Sequence, residues 1–377
     1  MPHRAASIAA AAPPRRQALR GRVALASGSL VAVALAALGA ELAARLYSPD
    51  YLTRARGPHV FSDTYGWAAR KGISATLADR PVTLNEQGYR GRALSLPRGR
   101  GVTRVVVLGD SVAFGLGVSD DETFCSRLNA RDNGIEVANL AVQGYGPDQE
   151  LLKLERDGLR LEPDLVVVAH CLANDLAEAM LPVSLYDGRT PKPRFTLLQG
   201  RLQLDGSSLA LSPAARTLQR LSDGSHLFNR MAALVPKARP TAGPHWRERY
   251  ADALHDEAAA LRLNVALVRR MRELCQERGI TLVVALFPDR FSYREKPELV
   301  LRFVAALRAE GVPLVDLSAR FRGRGLRLKD VALDGTGHLS AAGHEIVSSE
   351  LEREIVRRRP PTGAARGAPP QRARPEA

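Results

Sequence analysis

Short β-branched runs that alternate with helical stretches constrain this chain more than any other feature. RVVVLG (104–109), IEVANLAV (135–142), LVVVAH (165–170), TLVVALFP (281–288) and VPLVDL (312–317) are each too short for a helix and apolar enough to be buried on both faces. Between them lie segments of helical spacing at 121–131, 147–161, 251–279 and 296–311, and a last one follows at 340–359. Strands alternating with helices argue for a parallel sheet with helices on both faces. The alternation breaks at 178–250, a turn-rich stretch with two short strand candidates (194–198 and 201–205). It is read as an insertion over the site rather than a separate domain. No internal repeat is visible.

The chain has 377 residues and a formal charge of +14. That charge invites a nucleic-acid reading, but its placement speaks against one. Residues 1–22 hold five Arg and no acid, and residues 357–377 hold six Arg and one Glu. Each end therefore carries +5, which leaves only +4 for the body, so no nucleic-acid partner is expected. The three cysteines, Cys125, Cys171 and Cys275, form no CxxC pair and no metal spacing. They are read as buried free thiols, and no metal or cofactor is expected.

Positions 23–40 pass without a charge, and Glu41 ends the run. LAARLY extends this apolar stretch toward the length of about 20 residues that spans a bilayer. A cleaved signal peptide is the rival reading, yet Leu38-Gly39-Ala40 is a poor cleavage site. The preceding arginines place the N-terminus in the cytoplasm by the positive-inside rule. The expected organisation is a basic cytoplasmic segment (1–22), a single-pass signal anchor (23–47), a lead-in (48–100), a catalytic domain outside the cytoplasm (101–358) and a disordered basic tail (359–377).

Four features follow the predicted strands, where open α/β sheets bind ligands. Gly109-Asp110-Ser111 can expose a serine on a tight strand-to-helix turn. Gly144, in NLAVQGYG (139–146), can offer a backbone N–H. Asn174, beside Asp175, can offer a side-chain amide. Asp334 stands four residues before His338 and can orient its imidazole through Nδ1. Each has an ordinary explanation taken singly, as a turn, a cap or a surface loop. Their occurrence in this order is harder to explain that way.

In these motifs the chain resembles the SGNH (GDSL-type) esterases and acyltransferases. VVVLGDSVAFGLGV (105–118) is similar to the family's first block and NLAVQGYGPDQELL (139–152) to its second. TLNEQGYRGRA (83–93) is similar to a segment that precedes the domain in membrane-anchored members. The resemblance implies a three-layer α/β/α sandwich with a five-stranded parallel sheet. It also implies a Ser111–His338–Asp334 triad and an oxyanion hole from Ser111, Gly144 and Asn174. Two departures stand out. Leu172 occupies the usual glycine of the third block, and the acid lies four residues before the histidine rather than three. A bulge at Gly335 or Gly337 would absorb the extra residue. Asp330 is the poorer alternative acid, and His344 the poorer alternative base.

The implied activity is serine-esterase chemistry, deacylating an envelope glycan or a small ester. An O-acyltransferase with the same triad acting on an extracytoplasmic polysaccharide is one alternative. A non-catalytic glycan-binding or assembly protein on the same fold is another. Tyr186 and Trp246 could stack on sugars, although packing explains each as well.

Overall fold

The computed structural model describes residues 15–47, 57–96, 98–99, 101–205, 209, 212–234, 246–289 and 296–359, with side chains from residue 27. Most of the basic N-terminal segment and nearly all of the basic tail lie outside the described residues. So do residues 48–56 of the lead-in.

In chain order the strands are β1 (His59–Ser62), β2 (Gly66–Ala69), β3 (Ile73–Leu77), β4 (Arg80–Leu84), β5 (Thr103–Gly109), β6 (Ile135–Asn139), β7 (Leu165–Cys171), β8 (Phe195–Leu198), β9 (Arg201–Leu204), β10 (Thr281–Phe287) and β11 (Leu314–Asp316). The helices begin with α1 (Arg15–Tyr47), α2 (Ser111–Phe114), α3 (Phe124–Ala130), α4 (Pro147–Arg156) and α5 (Asp175–Glu178). They continue with α6 (Pro213–Gly224), α7 (His226–Leu234), α8 (Trp246–Ala253) and α9 (Glu257–Gln276). The last are α10 (Pro297–Ala309), α11 (Leu317–Gly323), α12 (Leu328–Val331) and α13 (Ala341–Arg358).

Every residue of β5 and of β7 is buried, as both-face burial of a parallel strand requires. The parallel sheet has five strands in the order β11-β10-β7-β5-β6. Helix α4 packs on α9, and α9 on α10, along one face. Helix α13 packs on α3 along the other. The result is the three-layer α/β/α sandwich that the alternation points to. From β5 the chain moves first to one side, to β6, and then to the other, to β7. The carboxyl end of β5 is therefore a topological switch point, where such sheets place their ligand sites.

Several boundaries differ from the sequence expectation, each for a local reason. The run 135–142 leaves the sheet at Asn139, whose side chain accepts the N–H of Ala141 at 3.1 Å and so turns the backbone. The stretch 251–279 is interrupted before Glu257, where Asp256 accepts the N–H of Ala259 at 2.9 Å and caps α9. Strands β8 and β9 pair antiparallel within the insertion, close to the two short segments expected there.

The lead-in forms two antiparallel hairpins, β1–β2 and β3–β4. The described residues fall into two compact units. One comprises Arg56–Ala214 with Ala238–Ala377, so the lead-in hairpins belong with the sheet. The other comprises Met1–Ala55 with Ala215–Lys237. Within this second unit, Ser27–Tyr47 is long and apolar enough to cross a membrane, and α1 packs against α7.

Candidate active site

Strand β5 ends at Gly109, where a Cβ would lie 2.6 Å from the Ala113 methyl. The glycine is what lets α2 start immediately. Asp110 caps that helix, its carboxylate accepting the N–H of Val112 at 2.8 Å. Ser111 is thereby fixed as the first helical residue. Its Oγ lies 2.8 Å from Nε2 of His338, and Nδ1 of His338 lies 2.6 Å from Oδ2 of Asp334. Serine, histidine and carboxylate make one continuous chain of hydrogen bonds.

The four-residue spacing works because Asp334 closes its own turn. Its Oδ1 accepts the Thr336 N–H at 2.9 Å, the Thr336 hydroxyl at 2.8 Å and the His338 N–H at 3.3 Å. Of the two neighbouring glycines, Gly337 carries the bend. Its φ is +98°, and a Cβ there would lie 2.7 Å from the Pro288 carbonyl oxygen. Gly335 has open space around it. With Nδ1–H given to Asp334, Nε2 is left to accept the serine proton.

Asp330 and His344 stand outside this chain. Asp330 accepts the N–H of Arg327 at 2.8 Å and closes the turn that starts α12. The fully buried His344 stacks on Phe124 and accepts that residue's N–H at 3.3 Å. Burial, with Arg90 and Arg127 nearby, pushes its pKa down to about 3.

No family model matches this chain, and no curated protein does. Solved structures similar to it include a GDSL-like lipase from Bacteroides thetaiotaomicron, at 14% identity over 68% of this chain and 88% of that one, with a TM-score of 0.36. A lipolytic protein of the G-D-S-L family from Desulfitobacterium hafniense is 12% identical over 67% and 98%, at 0.39. A catalytic mutant of an acetylxylan esterase from Geobacillus stearothermophilus is 14% identical over 69% and 96%, at 0.37. The chemistry of the site rests on the distances above rather than on these likenesses.

Ser111, His338 and Gly144 line a cavity of about 430 Å³ with Trp67, Tyr186 and Gln143 among its walls. Gly144 has φ +75°, and its N–H has no acceptor among the described residues. A Cβ would find ordinary contacts there, 3.5 Å from Trp67 and 3.7 Å from Tyr186. The backbone angle, not the space, calls for glycine.

Asn174 is placed differently. It is 2% exposed and does not line the cavity, and its amide donates to Oδ1 of Asp175 at 3.2 Å. Oδ2 of Asp175 accepts the Cys171 N–H at 2.7 Å. The aspartate thus fastens the loop after β7, where Leu172 stands in place of glycine. Tyr186 reaches the cavity, whereas Trp246 opens α8 and lies against the core.

Sequence reasoning misses the supports of this site, which come largely from the lead-in. Trp67 of β2 donates from Nε1 to the Gln143 carbonyl at 2.9 Å, and its own carbonyl accepts the Tyr145 hydroxyl at 2.7 Å. The loop that carries Gly144 is thus pinned on both sides of the glycine. Arg90, within the segment 83–93, is buried, and its guanidinium donates to the carbonyls of Phe114, Gly115 and Val118. It also pairs with Asp120 at 3.0 Å. Arg90 thus holds the last carbonyl of α2 and those of the turn after it, while Asn139 takes the Ala113 carbonyl at 3.0 Å. Thr336, between Asp334 and His338, places its hydroxyl 3.2 Å from Nδ1 of His338. Its position in the DGTGH run was the one available signal.

Charge follows the same geometry. Burial alone lowers the pKa of His338, but the hydrogen bond and charge of Asp334, with Asp110 adding, outweigh it and hold the imidazole above its usual 6.5. Asp334 loses some solvation too, yet His338 and Thr336 hold its carboxyl well below the ordinary range. Five carboxylates are fully buried, Asp110 in the turn before Ser111 together with Asp148, Glu150, Asp175 and Glu178. Lys192 pairs with Asp148. Burial pushes all five pKa values up, that of Glu178 to about 8.

Proposed function

We propose that this chain is a membrane-anchored serine hydrolase of carboxylic esters, of the SGNH type, working through Ser111, His338 and Asp334. The observation that carries the reading is the unbroken relay, 2.8 Å from serine to imidazole and 2.6 Å from imidazole to carboxylate, opening into a cavity. In this mechanism the Ser111 oxygen attacks the ester carbonyl as its proton passes to Nε2 of His338. Asp334 keeps Nδ1 protonated and stabilises the imidazolium. The oxyanion forms beside the N–H groups of Ser111 and Gly144. Asn174, whose amide faces Asp175 and Asp110 and stands off the cavity, would be the third donor once its side chain turns toward the oxyanion.

Collapse of the tetrahedral intermediate expels the alcohol, which takes the proton from His338. Water, deprotonated by the same imidazole, then releases the acid and frees the serine. A sugar hydroxyl in place of that water would make the same site an acyltransferase. Trp67 and Tyr186, with Gln143, Ser184, Asp187 and Thr190, give the cavity aromatic faces beside hydrogen-bonding groups. That mixture suits a small acyl group carried on a sugar, and an anchored domain outside the cytoplasm would meet acylated envelope glycans.

The test is mass spectrometry of the protein after treatment with a fluorophosphonate. One adduct on the peptide bearing Ser111 is expected. A folded protein that takes no adduct would replace the enzyme with the binding-protein reading.

The third donor has its own test. Asn174→Ala is expected to lower kcat by about a hundred- to a thousandfold with little change in KM. An unaltered kcat would remove Asn174 from the oxyanion site and leave it as a loop fastener for Asp175.

A further inference from the structure

Helix α1 does not end as a bare anchor would. Glu41 stands in its apolar stretch, six residues before Tyr47, and its carboxylate turns to another segment of the same compact unit. It accepts the Ser225 hydroxyl at 2.8 Å, the His226 N–H at 3.1 Å and the Leu227 N–H at 2.8 Å. Those residues begin α7, so a side chain of α1 caps a helix far away in sequence. One turn later Arg45 donates to the carbonyl of Gly224, the last residue of α6, at 2.7 Å, and to Glu41 at 2.7 Å. The corner between α6 and α7 is therefore fastened at two levels to the end of α1.

Helix α6 presents its surfaces in reverse for a helix in water. Leu218 and Leu221 are 56% and 42% exposed, while Gln219, Ser222 and Asp223 occupy the half-buried side. In α7, Met231 and Leu234 are 59% and 83% exposed. A run of outward leucines on an ordered helix marks an interaction surface.

We propose that α6 and α7 lie in the interfacial layer of the bilayer that α1 crosses, as an in-plane collar at the end of the anchor. The partner is a lipid surface. The apolar surface of α1 runs on past the fastening points, through exposed Leu42 and Leu46, so the anchor still faces lipid at the level where the corner is fastened. From Glu41 to Tyr47 the rise is about 9 Å, which sets the corner at the depth of the last turns of the anchor. A carboxylate at that depth is tolerated because it is surrounded by donors. The segment 213–234 carries Arg216, Arg220 and Arg230 against Asp223, a net +2 that suits anionic headgroups. Arg216 and Arg220 flank Leu218 and are themselves exposed, the arrangement that lets a guanidinium reach the headgroups while leucine enters the acyl region. The proposal rests on the reading of α1 as a membrane anchor.

Nitroxide labels test it in the full chain, reconstituted in vesicles of phosphatidylethanolamine and phosphatidylglycerol. Labels at Leu35→Cys, Arg216→Cys, Leu218→Cys, Leu221→Cys and Met231→Cys are compared for collision with oxygen and with a water-soluble nickel chelate. The unsubstituted chain, whose three cysteines are buried, gives the background. Labels at 218, 221 and 231 are expected about 5–10 Å inside the headgroup boundary, with 216 at the aqueous side and 35 deep in the bilayer. Nickel access at 218, 221 and 231 equal to that at 216, with 35 deep, would overturn the collar and leave the anchor standing. Shielding of these positions from both reagents would overturn it in favour of a protein partner. An aqueous signal at 35 would remove the anchor itself and the collar with it.

Discussion

Ser111→Ala is expected to lower ester hydrolysis by on the order of a millionfold and to abolish fluorophosphonate labelling, with stability unchanged. The size of the loss follows from the relay. With Oγ removed, His338 has no proton to take and no acyl-enzyme can form. What remains is the contribution of binding and of the oxyanion donors. The fold should not notice, because the Ser111 side chain supplies neither the cap of α2, which is Asp110, nor the side-chain contacts to its carbonyls, which come from Arg90 and Asn139. Hydrolysis of p-nitrophenyl acetate, run beside thermal unfolding, reads both arms. Undiminished turnover in the variant would remove Ser111 as the nucleophile.

Asp334→Asn comes next, with an expected fall in kcat of about four orders of magnitude. An amide in place of the carboxylate can offer N–H to Nδ1, which drives the ring to the tautomer that carries its proton on Nε2. That tautomer cannot accept from Ser111. Asp334→Ala should be the milder change, because the Thr336 hydroxyl, 3.2 Å from Nδ1, can then accept in place of the carboxylate.

The pH profile supplies the sign. Activity requires neutral His338, and the imidazole is held above its usual 6.5 chiefly by Asp334 against the opposing effect of burial. The wild-type rate should therefore rise through a limb displaced upward. In Asp334→Ala that limb should move to lower pH while the plateau falls. A limb that stays in place while the rate falls would mean that Asp334 does not set the proton affinity of His338.

Much of this arrangement is readable in sequence because the chemistry sits where local signals are strongest. Ser111 follows a β-branched run that stops at a glycine, and His338 follows an Asp-Gly-Thr-Gly turn just before a helix. The three central strands were legible because burial on both faces leaves runs dominated by Val and Leu.

The lead-in was not legible, for reasons that can be named. The β3–β4 hairpin turns at Ala78 and Asp79, both at positive φ, with no glycine to announce the turn. The role of Arg90 depends on carbonyls 24 to 28 residues further on, which no local pattern encodes. Helices α6 and α7 were hidden because Leu218, Leu221, Met231 and Leu234 point outward. A pattern that assumes apolar means buried reads them as irregular insertion. Asn174 shows the converse limit: its position after β7 is legible from the Asn-Asp pair, but the direction of its amide is set by Asp175.

The five buried carboxylates around the Ser111 turn also set a ceiling on the working conditions of the protein. Glu150 has no partner for either carboxylate oxygen among the described residues, and burial keeps Glu150, Asp175 and Glu178 protonated well beyond the pH at which an unfolded chain gives up those protons. Above the ordinary histidine range near 6.5, where the unfolded chain no longer gains protons at His59, His170 and His344, and up to about 8, where Glu178 titrates, these carboxyls leave the folded chain holding more protons than the unfolded one. By linkage, conformational stability declines as pH rises through that interval. Turnover, which needs an uncharged imidazole, climbs in the same direction. The two trends cross, and urea midpoints measured from neutral to mildly alkaline buffer should fall while the rate increases. A protein working through the proposed relay would trade durability for speed each time its surroundings become more alkaline.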